Sequence, residues 1–277
     1  MSWITAKWPR GGRRHPAAGV ALVLLGLLVI GAAYGAITGS GSASAAPSQS
    51  AVLRAQINEG RQLFVANCAA CHGLEAQGTS VAPSLIGVGA AAVDFQVSTG
   101  RMPAREPGPE MPRKPPKLNR QQTLAVAAYI ESLGGGPQIP SSAQVSTKGA
   151  NLALGQQLFI ADCAQCHNFV GAGGALTYGK YAPPLTQSTP TQIYEAMLTG
   201  PEAMPVFNNT TITPAEKRDI LSYVIATRNT PNPGGFSLGR IGPVTEGLVA
   251  FLGLLFFMVL VAMWITAKHG KSKADHE

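Results

Sequence analysis

All four cysteines of the 277-residue chain fall in two copies of one pattern, Cys68-Ala69-Ala70-Cys71-His72 and Cys163-Ala164-Gln165-Cys166-His167. Two thiols separated by two residues on one helical turn, followed at once by an imidazole, can attach a c-type haem. Each thiol adds to one vinyl group of the macrocycle, and the adjacent histidine turns its imidazole toward the iron. The small residues Ala69, Ala70 and Ala164 let the porphyrin edge lie close to the backbone. Bare C-x-x-C spacing also serves zinc half-sites and thioredoxin-type dithiols. Zinc would need both motifs pooled into one site, and a dithiol enzyme would need a strand–helix setting. The motifs therefore predict two covalently bound haem c groups, held by Cys68 and Cys71 in one case and Cys163 and Cys166 in the other.

The axial ligands follow by elimination. Of five histidines, His15, His269 and His276 lie in the terminal tails, which leaves His72 and His167 for the proximal positions. Methionine is the remaining common partner. Met204-Pro205 follows a Thr-Gly pair, 37 residues after His167, and suits a distal ligand, whereas Met197 falls inside a helical stretch and reads as core. In the first copy Met102-Pro103 follows Thr99-Gly100, and Met111-Pro112 lies 39 residues after His72. Motif context favours Met102 and spacing favours Met111; Met102 is the reading adopted. His/Met ligation raises haem potential. It also fills both axial positions, which suits carrying electrons and not transforming a small molecule.

These residues sit in an internal duplication. Gly60 to His72 matches Gly155 to His167 at an offset of 95. Ala82-Pro83-Ser84-Leu85 echoes Ala182-Pro183-Pro184-Leu185 at an offset of 100, so the second copy carries five extra residues between Asn168 and Tyr181. Repeats fix architecture. Each copy ends in a helix pattern. Thr213-Pro214-Ala215-Glu216 reads as an N-cap, a proline at the first helical position and a capping-box glutamate. Asn119 and Gln122 play the capping parts in the first copy, with Gly134 as the stop. Tyr129 and Tyr223 occupy equivalent places, packing on haem or on the first helix of the repeat. Nothing alternates with period two, so the fold class expected is all-α, two tandem cytochrome c domains between two membrane helices.

Those membrane helices come from composition. Charged residues make up only 13% and mean hydropathy is +0.13. The net charge of +7 suggests nucleic acid until it is mapped. Lys7, Arg10, Arg13 and Arg14, with Lys268, Lys271 and Lys273 against Asp275 and Glu277, put +5 of it in the two tails. They flank Ala17 to Ile37 and Gly247 to Ala267, each 21 uncharged residues. A bilayer core of about 30 Å needs about 20 helical residues. Basic flanks predict two spans with both termini cytoplasmic, the repeats outside the plasma membrane, and no nucleic-acid partner. The first span also resembles a signal peptide, with Ala43-Ser44-Ala45 as a cleavage site, but signal cores run to only about 7–15 residues. The expected organisation is a tail at 1–16, a span at 17–37, a flexible linker at 38–50, domains at 51–136 and 149–230 joined by a linker at 137–148, a linker at 231–246, a span at 247–267 and a tail at 268–277. Arg101, Arg105, Arg113, Lys114, Lys117 and Arg120 cluster in the first copy, either as a solvated loop or for partner docking or propionate pairing.

Each repeat resembles a class I cytochrome c domain, with its Cys-x-x-Cys-His, Pro-Leu loop, distal Met-Pro and capped final helix. Phe95 to Pro103, with Arg113-Lys114-Pro115-Pro116 and the second span, is similar to the dihaem cytochrome c subunit of the actinobacterial cytochrome bcc complex. That resemblance implies an electron-transfer subunit of a proton-translocating menaquinol–cytochrome c reductase. It implies a cytochrome b subunit and a Rieske iron–sulfur subunit as partners, and a terminal cytochrome c oxidase as acceptor. The alternatives are the dihaem subunit of a terminal oxidase, which usually lacks a span after its second haem domain, and a dihaem peroxidase, which needs an open iron.

Overall fold

The computed structural model describes residues 16–38, 48–108, 110–230 and 237–274. The basic residues at 1–15, Trp3 and Trp8, the Gly/Ser/Ala stretch at 39–47 and the tail at 275–277 lie outside them. The chain divides into two units, Met1–Val52 and Leu53–Glu277. In the first unit helix α1 (Pro16–Thr38) contains the run Ala17–Ile37, long and apolar enough to cross a membrane, with its apolar side chains exposed.

Both repeats belong to the second unit. The first comprises α2 (Gln49–Asn67), which enters from the first unit, then α3 (Ala69–His72), α4 (Gly89–Ser98) and α5 (Arg120–Gly134). The second comprises α6 (Ser142–Val145), α7 (Leu152–Asp162), α8 (Ala164–His167), α9 (Pro190–Thr199) and α10 (Pro214–Asn229). Both final helices start as their sequences require: Asn119 with Gln122 and Thr213 with Glu216 form reciprocal capping boxes. The first stops one residue later than expected, with Gly135 at φ 71° as its C-cap.

In each repeat the helix that leads into the Cys-x-x-Cys-His turn, α2 or α7, crosses the last helix, α5 or α10, at a glycine. A Cβ on Gly60 would overlap the Ala125 carbonyl, and one on Gly155 the Asp219 carbonyl. One turn on, Phe64 meets Tyr129 at a ring separation of 5.4 Å, and Phe159 meets Tyr223 at 5.2 Å. The tyrosines thus pack on the helix that leads into the Cys-x-x-Cys-His turn of their own repeat. Val93, Val126 and Ile130 complete one core; Ile193, Leu221 and Val224 complete the other.

The all-α second copy adds one short strand pair to its helices: β1 (Gly174–Ala175) and β2 (Tyr181–Ala182) pair antiparallel in the segment that carries the five extra residues. Residues 137–148, which join the repeats, are docked along the fold. Ala91 N–H bonds the Pro137 carbonyl at 2.9 Å, and α6 carries its own capping box. Arg218 Nε and Nη2 hold the Ser146 and Lys148 carbonyls. The last helix, α11 (Pro243–Ala274), begins four residues before the expected span, and Pro243–Ala267 is long and apolar enough to cross a membrane.

The repeats pack on each other through α4 and α9. Gln192 joins Ser98 Oγ at 3.2 Å and accepts from Arg113 at 3.2 Å, while Glu202 accepts from Met111 N–H at 2.9 Å. At the centre lie two acids, Asp94 at 1% and Glu195 at 0% exposure. Arg120 bonds one oxygen of Asp94; the other oxygen, and both of Glu195, have no partner apart from the facing acid. Burial first, then the Asp94 charge, pushes the Glu195 carboxyl up to about 10, with Arg120 opposing. A proton on Glu195 can then be donated to Asp94. Because the folded pKa is raised, this proton stabilises the fold fully below the unfolded value of 4.5 and is lost as pH rises toward about 10. The melting midpoint, followed by circular dichroism, is expected to fall from about pH 5 to about pH 9, and Glu195→Gln to flatten that slope. A parallel slope in the variant would contradict it.

Candidate functional site

The haem-type motif is a single turn in both repeats. Cys68 caps α3 and its carbonyl accepts the N–H groups of Cys71 and His72 at 3.1 and 3.0 Å. Cys163 does the same for Cys166 and His167 at 3.2 and 2.9 Å. One turn therefore presents two sulfurs and an imidazole to the same side. Both histidines are buried. His72 Nδ1 lies 2.8 Å from the Pro83 carbonyl and His167 Nδ1 lies 3.0 Å from that of Pro183. A carbonyl only accepts, so Nδ1 carries the proton and Nε2 keeps its lone pair for a metal. Burial also lowers the His167 pKa, with the Pro183 bond opposing, which keeps the ring neutral.

The two prolines are the functional residues that the motif reading passed over. Their signal was present as the Ala-Pro echo at offset 100, read there only as a repeat marker. The carbonyl, not the side chain, does the work, so residue type alone gave no hint of it.

In the second repeat Cys163, Cys166, His167 and Met204 border one cavity of about 220 Å³, whose apolar walls include Phe159, Leu185, Ile193 and Val224. Gly200, at φ 57°, ends α9 in the left-handed region and turns the chain toward Met204. A Cβ there would come within 2.8 Å of the Met204 carbonyl. Met197 is 2% exposed and is part of the core as expected, although it also reaches the cavity wall. In the first repeat Cys68 and Met102 pack against the same core cluster as Phe64 and Leu118. Met111 is not among the residues packed on that cluster, and its N–H is bonded to Glu202 of the second repeat.

The residues fit a covalent haem. Two thiols, a tautomer-fixed imidazole and a thioether meet an apolar slot. Burial pushes the Cys68 thiol up to about 11 and the Cys163 thiol up to about 12, as a hydrophobic enclosure should. Among the described residues no three His, Cys, Asp or Glu side chains gather as a metal site. The basic cluster is not simply a solvated loop either. Arg101 is buried, Arg113 reaches Gln192, Lys114 Nζ bonds the Arg101 and Pro103 carbonyls, and Arg120 holds Asp94.

Known proteins resemble the chain at both scales. Residues 57–134 match the cytochrome c family, and residues 150–224 match the family of cytochrome C oxidase, cbb3-type, subunit III. The cytochrome bc1 complex cytochrome c subunit of Corynebacterium diphtheriae is 42% identical over 92% of this chain and 95% of its own. That of Mycobacterium tuberculosis is 42% identical over 92% of each chain. That of Mycobacterium leprae is 42% identical over 89% of this chain and 86% of its own.

Proposed function

The chain belongs to the family of cytochrome c subunits of the cytochrome bc1 complex, and on that premise we propose that it is a two-haem relay tethered to the membrane at both ends. Cys68 and Cys71 hold one haem c, and Cys163 and Cys166 the other. His72 with Met102, and His167 with Met204, are the axial pairs. The observation that carries the reading is the doubling of one construction: a Cys-x-x-Cys-His turn whose imidazole is fixed by a proline carbonyl and whose repeat supplies a methionine.

Haem supplies iron that takes up and releases one electron. The protein determines everything else. The cysteines fix the macrocycle against α3 and α8, and Pro83 and Pro183 fix the imidazole tautomer and plane. Met102 and Met204 would supply the distal thioethers, which would leave water and small oxidants no vacant coordination site. Thioether ligation and apolar walls hold the potential high. Two centres in one chain make transfer between them intramolecular.

The electron is received from a Rieske iron–sulfur subunit beside a cytochrome b subunit and passed to a terminal cytochrome c oxidase. The basic residues of both tails support cytoplasmic termini, with the repeats outside the plasma membrane. The match of residues 150–224 to an oxidase subunit covers one repeat only, whereas the bc1 relatives span nine-tenths of the chain. Purified in mild detergent, the chain is expected to bring with it a b-type cytochrome and an iron–sulfur protein, and added quinol to reduce its c-type haem. Isolation with an oxidase core and no iron–sulfur protein would favour the oxidase reading.

A further inference from the structure

The wall of the second cavity is not built by the second repeat alone. Phe95, near the end of α4, and Arg101, just beyond it, line it too, although both belong to the first repeat. Arg101 is 7% exposed, and its guanidinium carbon sits 4.9 Å from the centre of the Phe95 ring. Its Nε faces Glu202 at 3.7 Å, a loose ion pair, while Nη1 is buried with no hydrogen-bond partner. A buried, unpaired guanidinium N–H is costly to leave so. Of the wall's other carboxylates, Asp162 is exposed and Glu110 is already engaged by the Tyr181 N–H at 2.8 Å.

A guanidinium fork matches a carboxylate. Haem c bears two free carboxylates, its propionates, and the residues for holding one haem border this cavity. Resting on the two-haem reading above, we propose that Arg101 of the first repeat binds a propionate of the haem held by the second. The next residue, Met102, packs on the core of the first repeat. Two consecutive residues thus serve different centres: one thioether on the first iron, one cation on the second macrocycle. Arg101 is a positioning and potential-setting residue, and the first repeat is a structural part of the second haem site.

The test is a redox titration of the complete membrane complex. The second haem is assigned as the wave that Met204→Ala displaces. Losing the cation should favour the oxidised haem. Arg101→Gln, and Arg101→Met, which keeps the apolar stem over Phe95, are expected to weaken reduction of the second haem about tenfold, a fall of about 59 mV for one electron. The first haem should move much less. Arg101→Lys should recover most of the drop, and Glu202→Gln, which removes the other partner, should produce none. An unmoved second wave in both Arg101→Gln and Arg101→Met would overturn the proposal. So would an equal drop in Glu202→Gln, which would assign Arg101 to repeat docking alone. Failure of the wild-type complex to give two c-type waves would instead overturn the two-haem reading.

Discussion

Gly155→Ala is expected to leave the second repeat without its haem, and Gly60→Ala to do the same to the first. At each site the added methyl would overlap a carbonyl oxygen of the opposing helix, in one case Asp219, in the other Ala125. Backbone atoms cannot rotate aside as a side-chain end can, so the helices must part. Overpacking a core by one methyl typically costs about 1–3 kcal/mol. Parting would also separate Phe159 from Tyr223, or Phe64 from Tyr129. A domain of this size has little surplus stability to absorb that. Haem per polypeptide, measured from the alkaline pyridine spectrum, should fall by one in either variant. Gly253→Ala in α11, where a Cβ meets nothing within 4 Å, should leave it unchanged. Full haem content in Gly155→Ala would show that the crossing can open without harm.

Met204→Ala should convert the second haem from low-spin to high-spin, lower its potential and open it to carbon monoxide. Met204 borders the cavity that holds Cys163, Cys166 and His167, and outside the two motifs the only histidines lie in the terminal tails. Thioether ligation raises haem potential, so its loss moves the couple downward. The same substitution at Met102 should do this to the first haem, whereas Met111→Ala should not. Met102 packs on the first core, while the Met111 backbone is tied to Glu202. An unchanged spectrum in Met204→Ala, or a high-spin haem in Met111→Ala, would reassign the ligand concerned.

Much of this was legible in the sequence because its signals are local. Cys-x-x-Cys-His fits on one turn, a capping box on four residues, and a span declares itself by length and apolarity alone. Duplication then doubled the first two of these signals. What escaped depends on contacts between repeats or on backbone atoms. Asp94 and Glu195 look like the polar faces of short helices until α4 is seen to pack on α9, which buries both. No periodicity announces that packing. Arg101 sat in a basic cluster that the sequence left open between a solvated loop, partner docking and propionate pairing, and the neighbouring repeat explains its burial. Residues 137–148, with two prolines and three serines, read as a linker, yet Pro137, Ser146 and Lys148 dock through carbonyls that any residue type would offer. Composition reports flexibility where the backbone has no partners, and here the partners lie far away in sequence.

Near-infrared magnetic circular dichroism of the intact polypeptide, combined with its haem count, tests the central claim most directly, because the charge-transfer bands of ferric haem distinguish axial ligand pairs. Two haem c groups per chain, both low-spin with histidine–methionine signatures and both inert to carbon monoxide at neutral pH, is the result expected. A single haem, or a centre with a vacant or non-methionine sixth position, would contradict it.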